Sequence, residues 1–312
     1  MNNTARILKK LIEADGRFVS GAELGAELNV SRMTVSNCIS ELRGLNYNIA
    51  SATNRGYSLS VPADALDGHI LSVKLPDLAV VYFADTESTN ASAKLKAAAG
   101  EFETLIVAGS QASGHGRRGR PFSSETGGAY FSYIYKPAIP CECGMLLTLA
   151  AGLAVAGAIT ALGIKGVGLK YPNDVYVSGK KVCGILTETA SDGDTFDWAV
   201  TGIGINVNNK LPAEISGIAA ALYEFTAAPL GRADIIRSVI TRFCGLRALY
   251  AVDLLAAYAP YDILFGAEIN IIKDNAATAA RALGLDERGY LRAEVNGVVE
   301  LVSGADVTVR RA

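Results

Sequence analysis

Gly114-His115-Gly116-Arg117-Arg118-Gly119-Arg120 sets three arginines within four residues, and no acidic side chain follows before Glu125. The stretch satisfies G-x-G-x-x-G formally. A dinucleotide-binding turn needs a helix directly behind its last glycine. Here Arg120-Pro121-Phe122-Ser123-Ser124 follows, so the doubly wound dinucleotide fold is rejected. What remains is a basic loop spaced by glycines, which permit positive φ and close backbone approach. Guanidinium forks and backbone N–H groups both suit phosphate oxygens. Repulsion among the arginines favours a mobile loop until an anion arrives. A solvated basic surface loop is the plainer alternative on these residues alone.

Downstream stand Lys170-Tyr171-Pro172-Asn173-Asp174, Lys181-Val182-Cys183-Gly184-Ile185-Leu186 and Gly202-Ile203-Gly204-Ile205-Asn206. Pro172 forbids a continuous central strand and places Asn173 and Asp174 at a bend. Lys181 opens an apolar strand, from which it either enters a cleft to neutralise an anion or serves as an ordinary turn lysine. Around these motifs, strands are expected at 78–84, 104–110, 129–135, 167–170, 174–178, 182–189 and 198–207. Helices are expected at 90–98, 143–162 and 233–258. This mixture predicts an α/β or α+β domain with a large sheet. Residues 145–163 are the most apolar long stretch, and a buried helix fits them better than a membrane span. Beyond residue 266, short strands alternate with Gly and Asp turns, which suits a small β-domain.

Upstream, residues 5–13 alternate at helical spacing and Gly16 breaks that helix. Ser20 and Glu23 form a capping-box pattern ahead of a short helix ending near Leu28. Ser31 is the next N-cap candidate. Val35, Cys38, Ile39 and Leu42 then fall at i, i+3, i+4, i+7. Gly44 ends that helix, and residues 47–60 around Thr53-Asn54-Arg55-Gly56 read as a hairpin. Helix, helix, tight turn, helix, hairpin is the order of a winged helix-turn-helix. The stripe faces the core, leaving Arg32, Thr34, Ser36, Asn37 and Ser40 toward DNA, with Arg55 on the wing. The competing reading is a small protein-interaction module.

Composition bounds the rest. The chain has 312 residues, 50% hydrophobic and 19% charged, with net charge −2, which argues against disorder and predicts two or three domains. Residues 1–60 carry seven basic and five acidic side chains, a mild local surplus. Five scattered cysteines fit reduced thiols, and two histidines offer little for a metal. The polar N-terminus lacks an apolar signal core. A cytoplasmic protein is expected, with no membrane partner.

Taken together, GHGRRGR at 114–120, KYPND at 170–174, KVCGIL at 181–186 and GIGIN at 202–206 resemble the biotin–protein ligase family. Ser88-Thr89-Asn90 and Gln111 match two further positions of that pattern. The N-terminal winged helix makes the chain similar to the subclass that is both ligase and biotin operon repressor. The resemblance implies an α+β multidomain chain in three parts. These are a winged helix-turn-helix at 1–62, a class II synthetase-like α/β domain with a mixed sheet at 67–263, and a small SH3-like β-barrel at 264–312. Two departures stand out: His115 replaces the family's usual Arg, and Tyr171 replaces its Trp. The second keeps an aromatic wall and is expected to matter little.

The resemblance further implies formation of biotinyl-5′-AMP from biotin and ATP, with Mg²⁺ carried by the nucleotide, then transfer to a lysine of a biotin carboxyl carrier domain. Catalysis would rest on Lys181, Arg117 and Asp174. Biotin would meet Ser88, Thr89, Asn90, Gln111, His115, Gly116, Arg117 and Lys181. ATP or the adenylate would meet Arg117, Arg118, Arg120, Asn173, Lys181, Asn206 and Arg310. No protein-borne metal site is expected. Operator DNA and a homodimer in the adenylate-bound state are the implied partners. A lipoate-type ligase, or a ligand-sensing repressor without ligase activity, are the alternatives.

Overall fold

The structure, a computed structural model, describes residues 2–45, 47–60, 64–273, 276–303 and 308–311, the last as backbone only. The N-terminal unit holds α1 (Asn3–Glu13), α2 (Gly21–Leu28), α3 (Arg32–Gly44), β1 (Asn48–Ala52) and β2 (Gly56–Ser60). Local chemistry sets the helix starts. Ser20 Oγ accepts from Glu23 N–H, and Ser31 Oγ accepts from Thr34 N–H, each at 3.0 Å. Between α2 and α3, Asn29 takes left-handed φ of 54°. Gly25 lets the turn close, since a Cβ there would lie 2.9 Å from Val30 O. Val35, Cys38, Ile39 and Leu42 are buried as expected, against Ile7, Leu8, Leu11 and Leu24. The hairpin is latched by paired backbone bonds between Val19 and Tyr57, 2.8 and 2.9 Å.

The central sheet has seven strands: β3 (Ala79–Thr86), β4 (Thr104–Gln111), β5 (Ala129–Tyr135), β6 (Val167–Lys170), β7 (Asp174–Val177), β8 (Lys180–Asp192) and β9 (Thr195–Ile205). Their order is β3-β4-β5-β9-β8-β7-β6, with β3 and β4 parallel and the remaining pairs antiparallel. α4 (Gly68–Lys74) precedes the sheet, and α5 (Thr89–Ala98) crosses from β3 to β4. Alternation along β5 assigns the two faces. Ser132 and Ile134 meet α5, while Tyr133 and Tyr135 meet Phe243 edge-to-face on the far side. α6 (Met145–Ala161) lies on that far side with twelve residues buried, so the apolar stretch is a core helix.

Two expectations need correction here. The single helix expected at 233–258 is α7 (Arg232–Leu246) and α8 (Ala251–Tyr258). Between them Arg247 turns its guanidinium onto the Tyr133 and Tyr135 rings and donates to both Glu103 carboxylate oxygens. These tertiary contacts sit at the break and are invisible to periodicity. Helix α4 was not expected. Asp67 starts it, accepting from His69 and Ile70 N–H, and also accepts from Tyr47 OH in the N-terminal unit.

The C-terminal part is an antiparallel sheet of β10 (Glu268–Lys273), β11 (Ala276–Leu285), β12 (Leu291–Val295), β13 (Val298–Val302) and β14 (Thr308–Arg311). The order is β13-β12-β11-β10-β14, and among the described residues the pairings do not close it into a barrel. Asn296 and Gly297, both with positive φ, make the two-residue turn into β13.

Candidate active site

The cleft lies over the face of the sheet that carries α5, and its floor is made of glycines. Gly184 and Gly204 pair across β8 and β9, and Gly202 pairs with Leu186. Each glycine yields its volume to a neighbour. A Cβ on Gly202 would sit 2.0 Å from Asn90 Oδ1, and one on Gly204 would sit 2.7 Å from the Phe122 ring. Strand propensity alone disfavours glycine here, so these positions mark close approach.

One end of the cleft is neutral and rich in hydrogen bonds. Ser88 caps α5, its Oγ accepting from Ala91 N–H at 3.4 Å. Gln111 Oε1 accepts from Thr89 N–H and Oγ1 at 2.8 and 3.1 Å, and Gln111 Nε2 donates to Ser124 Oγ at 2.9 Å. Ser132 Oγ lies 2.8 Å from Thr89 Oγ1 and 2.6 Å from Asn90 Oδ1. Asn90 Nδ2 donates to Leu186 O and to Glu188. Asn90 is therefore engaged on both sides of its amide, which suits holding the wall more than contacting a ligand. Ser132, Glu188 and Ser124 escaped the sequence reading, because nothing in their own spacing marks them.

The other end is cationic. Lys181 Nζ lies 2.7 Å from Asp174 Oδ1, an ion pair in which that oxygen receives no well-angled hydrogen bond. A bulge in the β7–β8 register, with Tyr176 opposite Lys181 and Val175 opposite Cys183, redirects Lys181 toward Asp174. Its neighbour Lys180 points elsewhere, to Ser216 O at 3.2 Å. The turn-lysine reading therefore applies to Lys180. Backbone bonds Lys181 N–H to Ile218 O and Ala220 N–H to Lys181 O fix the strand at that point.

The basic loop closes over this end as a hairpin. Gly116 N–H donates to Arg120 O and Phe122 N–H to Gly114 O, both at 2.8 Å. Gly114 has no room for a side chain, since a Cβ would lie 2.4 Å from Ser124 Oγ. Arg117 to Gly119 form a single 3-10 turn with Arg118 at φ 58°, which agrees with rejecting a strand–turn–helix. Arg117 reaches Asn173 Oδ1 at 3.5 Å. Burial lowers the Arg117 pKa from its ordinary value; Arg118 and Arg120 add to this, while Tyr171 and Asp174 oppose it. A desolvated guanidinium among like charges gains from an incoming anion. His115, exposed, holds its Nδ1 3.1 Å from Ser113 O.

The cleft thus gathers Ser88, Thr89, Asn90, Gln111, His115, Gly116, Arg117, Arg118, Arg120, Asn173, Asp174 and Lys181. It does not gather Asn206, which is buried beyond β9 and accepts from Asn209 Nδ2 at 3.2 Å. The Arg310 side chain lies outside the described residues. Tyr171 is more than a wall: it is 2% exposed and its hydroxyl donates to Val302 O in β13 at 2.9 Å. On α3, Arg32, Ser36, Asn37 and Ser40 are exposed, as is Met33, which the sequence reading passed over. Thr34 is half-buried and bonds Ser31 Oγ at 2.9 Å, so it serves the helix start. The Arg55 guanidinium rests 4.3 Å from the centre of the Phe18 ring.

Comparison with known proteins decides the family. The chain is 31% identical to the bifunctional ligase/repressor BirA of Bacillus subtilis, over 98% of its own length and 99% of that protein's. The chain belongs to the bifunctional ligase/repressor family. The profile of the biotin/lipoate A/B protein ligase family matches residues 80–206, which contain every cleft residue named above. A profile described as an HTH domain matches residues 3–58, the winged unit. A biotin–[acetyl-CoA-carboxylase] ligase of Mycobacterium tuberculosis is 29% identical over 72% of this chain and 86% of that protein. Among solved structures, the biotin protein ligase of Aquifex aeolicus in complex with biotin and ATP aligns with TM-score 0.65 and 27% identity. That alignment covers 75% of this chain and 99% of the other. The ligase/repressor family therefore spans the whole organisation seen here, winged unit included.

Proposed function

We propose that this protein is an ATP-dependent biotin–protein ligase and a biotinyl-AMP-dependent repressor of biotin genes. The observation that carries the ligase reading is the cleft's polarity. A neutral hydrogen-bonding end suits a ureido ring, and a cationic end suits a carboxylate meeting a triphosphate. Ser88, Thr89, Gln111 and the His115-Gly116 backbone bind the ring, and Asn90 fixes that wall. A biotin carboxylate oxygen attacks the ATP α-phosphorus, the bond to the β-phosphate oxygen breaks, and pyrophosphate leaves. Lys181 and Arg117 offset the charge brought together in that step, with Arg118, Arg120 and Asn173 along the phosphates. Asn206 and Arg310 are assigned to the nucleotide on the family pattern alone.

In the second half-reaction a lysine amine of a biotin carboxyl carrier domain attacks the acyl carbon. The amide forms, the acyl–phosphate bond breaks and AMP leaves. Asp174, released from Lys181, takes the amine proton. Among the described residues no group of three His, Cys, Asp or Glu is placed to hold a metal, and Asp174 is the one carboxylate lining the cleft. That donor set fits Mg²⁺ delivered on the nucleotide phosphates.

The domains are assigned as 1–62, 67–263 and 264–312, with the C-terminal sheet as an SH3-like barrel; the first boundary falls outside the described residues. Operator DNA meets Arg32, Ser36 and Asn37 of α3, with Thr34 at the helix start and Arg55 on the wing. The active repressor is a dimer. Five free cysteines suit the reducing cytoplasm. Incubation with biotin, MgATP and a carrier domain tests the ligase, read as a gain of one biotinyl group by that domain. Gain with lipoate in place of biotin would overturn the substrate assignment. No gain with either, alongside ligand-dependent DNA binding, would leave a repressor alone.

A further inference from the structure

Asp174 sits on a hairpin that two other parts of the molecule hold. On the inner side, Asn173 is bonded to Ile185 twice: Nδ2 donates to Ile185 O, and Ile185 N–H donates to Asn173 O, both at 2.9 Å. On the outer side the holder is the C-terminal sheet and the segment leading into it. Ile263 N–H donates to Leu169 O at 3.0 Å. Gly168 admits Ile263, since a Cβ there would meet its Cγ2 at 2.2 Å. Three residues before Asp174, the buried Tyr171 hydroxyl donates to Val302 O at 2.9 Å across 131 positions of sequence.

We propose that the Tyr171 hydroxyl is a positioning group by which the C-terminal sheet sets the place of Asp174, and through it Lys181, for adenylate formation. This rests on the ligase reading above. A backbone carbonyl of the C-terminal sheet accepts a bond from a residue two positions before Asn173, and Asn173 touches Arg117. The partners of Lys181 and Arg117 at the cationic end, Asp174 and Asn173, therefore stand on one hairpin gripped from both sides. Val302 is 6% exposed, so water does not readily replace the hydroxyl as donor. Loss of the bond leaves Lys181 and Asp174 intact as chemical groups and changes where they stand. Small displacements of reacting groups are enough to slow the chemistry.

The test compares wild type, Tyr171→Phe and Tyr171→Trp in pyrophosphate release with biotin and MgATP. Tyr171→Phe is expected to lower kcat about tenfold, the size of one buried hydrogen bond, with KM for biotin little changed. Tyr171→Trp supplies an indole N–H donor and is expected to recover most of the loss. Amide exchange at Asp174 and Val175 is expected to quicken in Tyr171→Phe and return toward wild type in Tyr171→Trp, a readout independent of activity. Wild-type kcat with unchanged exchange in Tyr171→Phe would overturn the proposal. So would a loss confined to the biotin KM, or equal impairment of both variants with cooperative unfolding shifted alike. Should wild type itself release no pyrophosphate, the ligase reading fails, and the exchange comparison still decides whether Tyr171 places the hairpin.

Discussion

Gly202 and Lys181 show two ways in which a single residue serves the cleft, one by absence and one by charge. At Gly202 a methyl group would collide with Asn90 Oδ1, and Asn90 in turn fixes the wall through Ser132, Leu186 and Glu188. Gly202→Ala is expected to cost about 1–3 kcal/mol of stability, as overpacking does. It should also weaken biotin binding more than ATP binding; calorimetric titration with each ligand measures the difference, and equal weakening would contradict the assignment of the two ends. At Lys181 the ion pair with Asp174 keeps an ammonium in the cleft before any substrate arrives. Lys181→Ala is expected to slow adenylate formation by about 10²–10³ while the fold persists. Single-turnover pyrophosphate release measures it, and a near wild-type rate would remove Lys181 from the catalytic set. Both residues lay in motifs that the sequence displayed. The reason for Gly202 did not show there, because Asn90 lies far off in sequence on another element.

At the scale of elements, local codes were readable and tertiary ones were not. Ser20, Ser31 and the stripe Val35, Cys38, Ile39 and Leu42 carry their own signals, so the winged helix-turn-helix was legible nearly to its ends. The β7–β8 bulge that turns Lys181 inward, and the helix break at Arg247, answer to partners elsewhere in the chain. The basic loop is intermediate, since its composition announces anion binding while its hairpin bonds depend on Gly114 fitting beneath Ser124. Three arginines at its tip should make these bonds easier to open without an anion. Amide exchange over residues 113–122 is expected to slow when biotin and ATP are added; equal protection in both states would make the loop a rigid part of the scaffold. The segment after α8 offers a pH test. Burial raises the Asp262 pKa from its ordinary value, against the lowering effect of backbone bonds from Leu264 and Phe265. A carboxyl with raised folded pKa destabilises the fold once deprotonated, and the penalty vanishes as pH falls below its unfolded value. Asp262→Asn keeps the acceptor for Leu264 N–H. It should therefore raise the melting temperature near about pH 7 and leave it unchanged near about pH 3. An equal shift at both would assign the effect to packing.

For the whole molecule, the question is how a ligand in the cleft reaches a DNA-binding unit at the other end of the chain. The structure offers polar contacts between the segments that lie between them. Arg232, at the start of α7 and 9% exposed, donates to the Asp64 side chain and backbone, between the winged unit and α4. The same guanidinium donates to Gly128 O, just before β5. Gly128 follows closely on Ser124, the partner of Gln111 in the cleft. Lys74 of α4 is also paired with Asp234 of α7 at 2.6 Å. These contacts give a path from the start of β5 to the segment before α4, and Tyr47 of the winged unit donates to Asp67 at the start of that helix. A path alone gives no switch, because a ligand shifts an equilibrium only by its differential affinity for the two states. On the function proposed above, the two states are monomer and dimer. One winged helix makes too few base contacts for operator-level affinity, and two set at fixed spacing read a palindromic site. Biotin plus ATP is therefore expected to raise both dimer mass and operator affinity, and added carrier domain to reverse both by consuming the adenylate. Arg32→Ala or Asn37→Ala should abolish operator binding with ligase activity unchanged, since α3 lies apart from the cleft residues. Sedimentation and gel-shift measurements at matched salt decide it. Operator binding indifferent to biotin would leave the ligase standing and remove the switch, and the Arg232 connection would then be interdomain packing and nothing more.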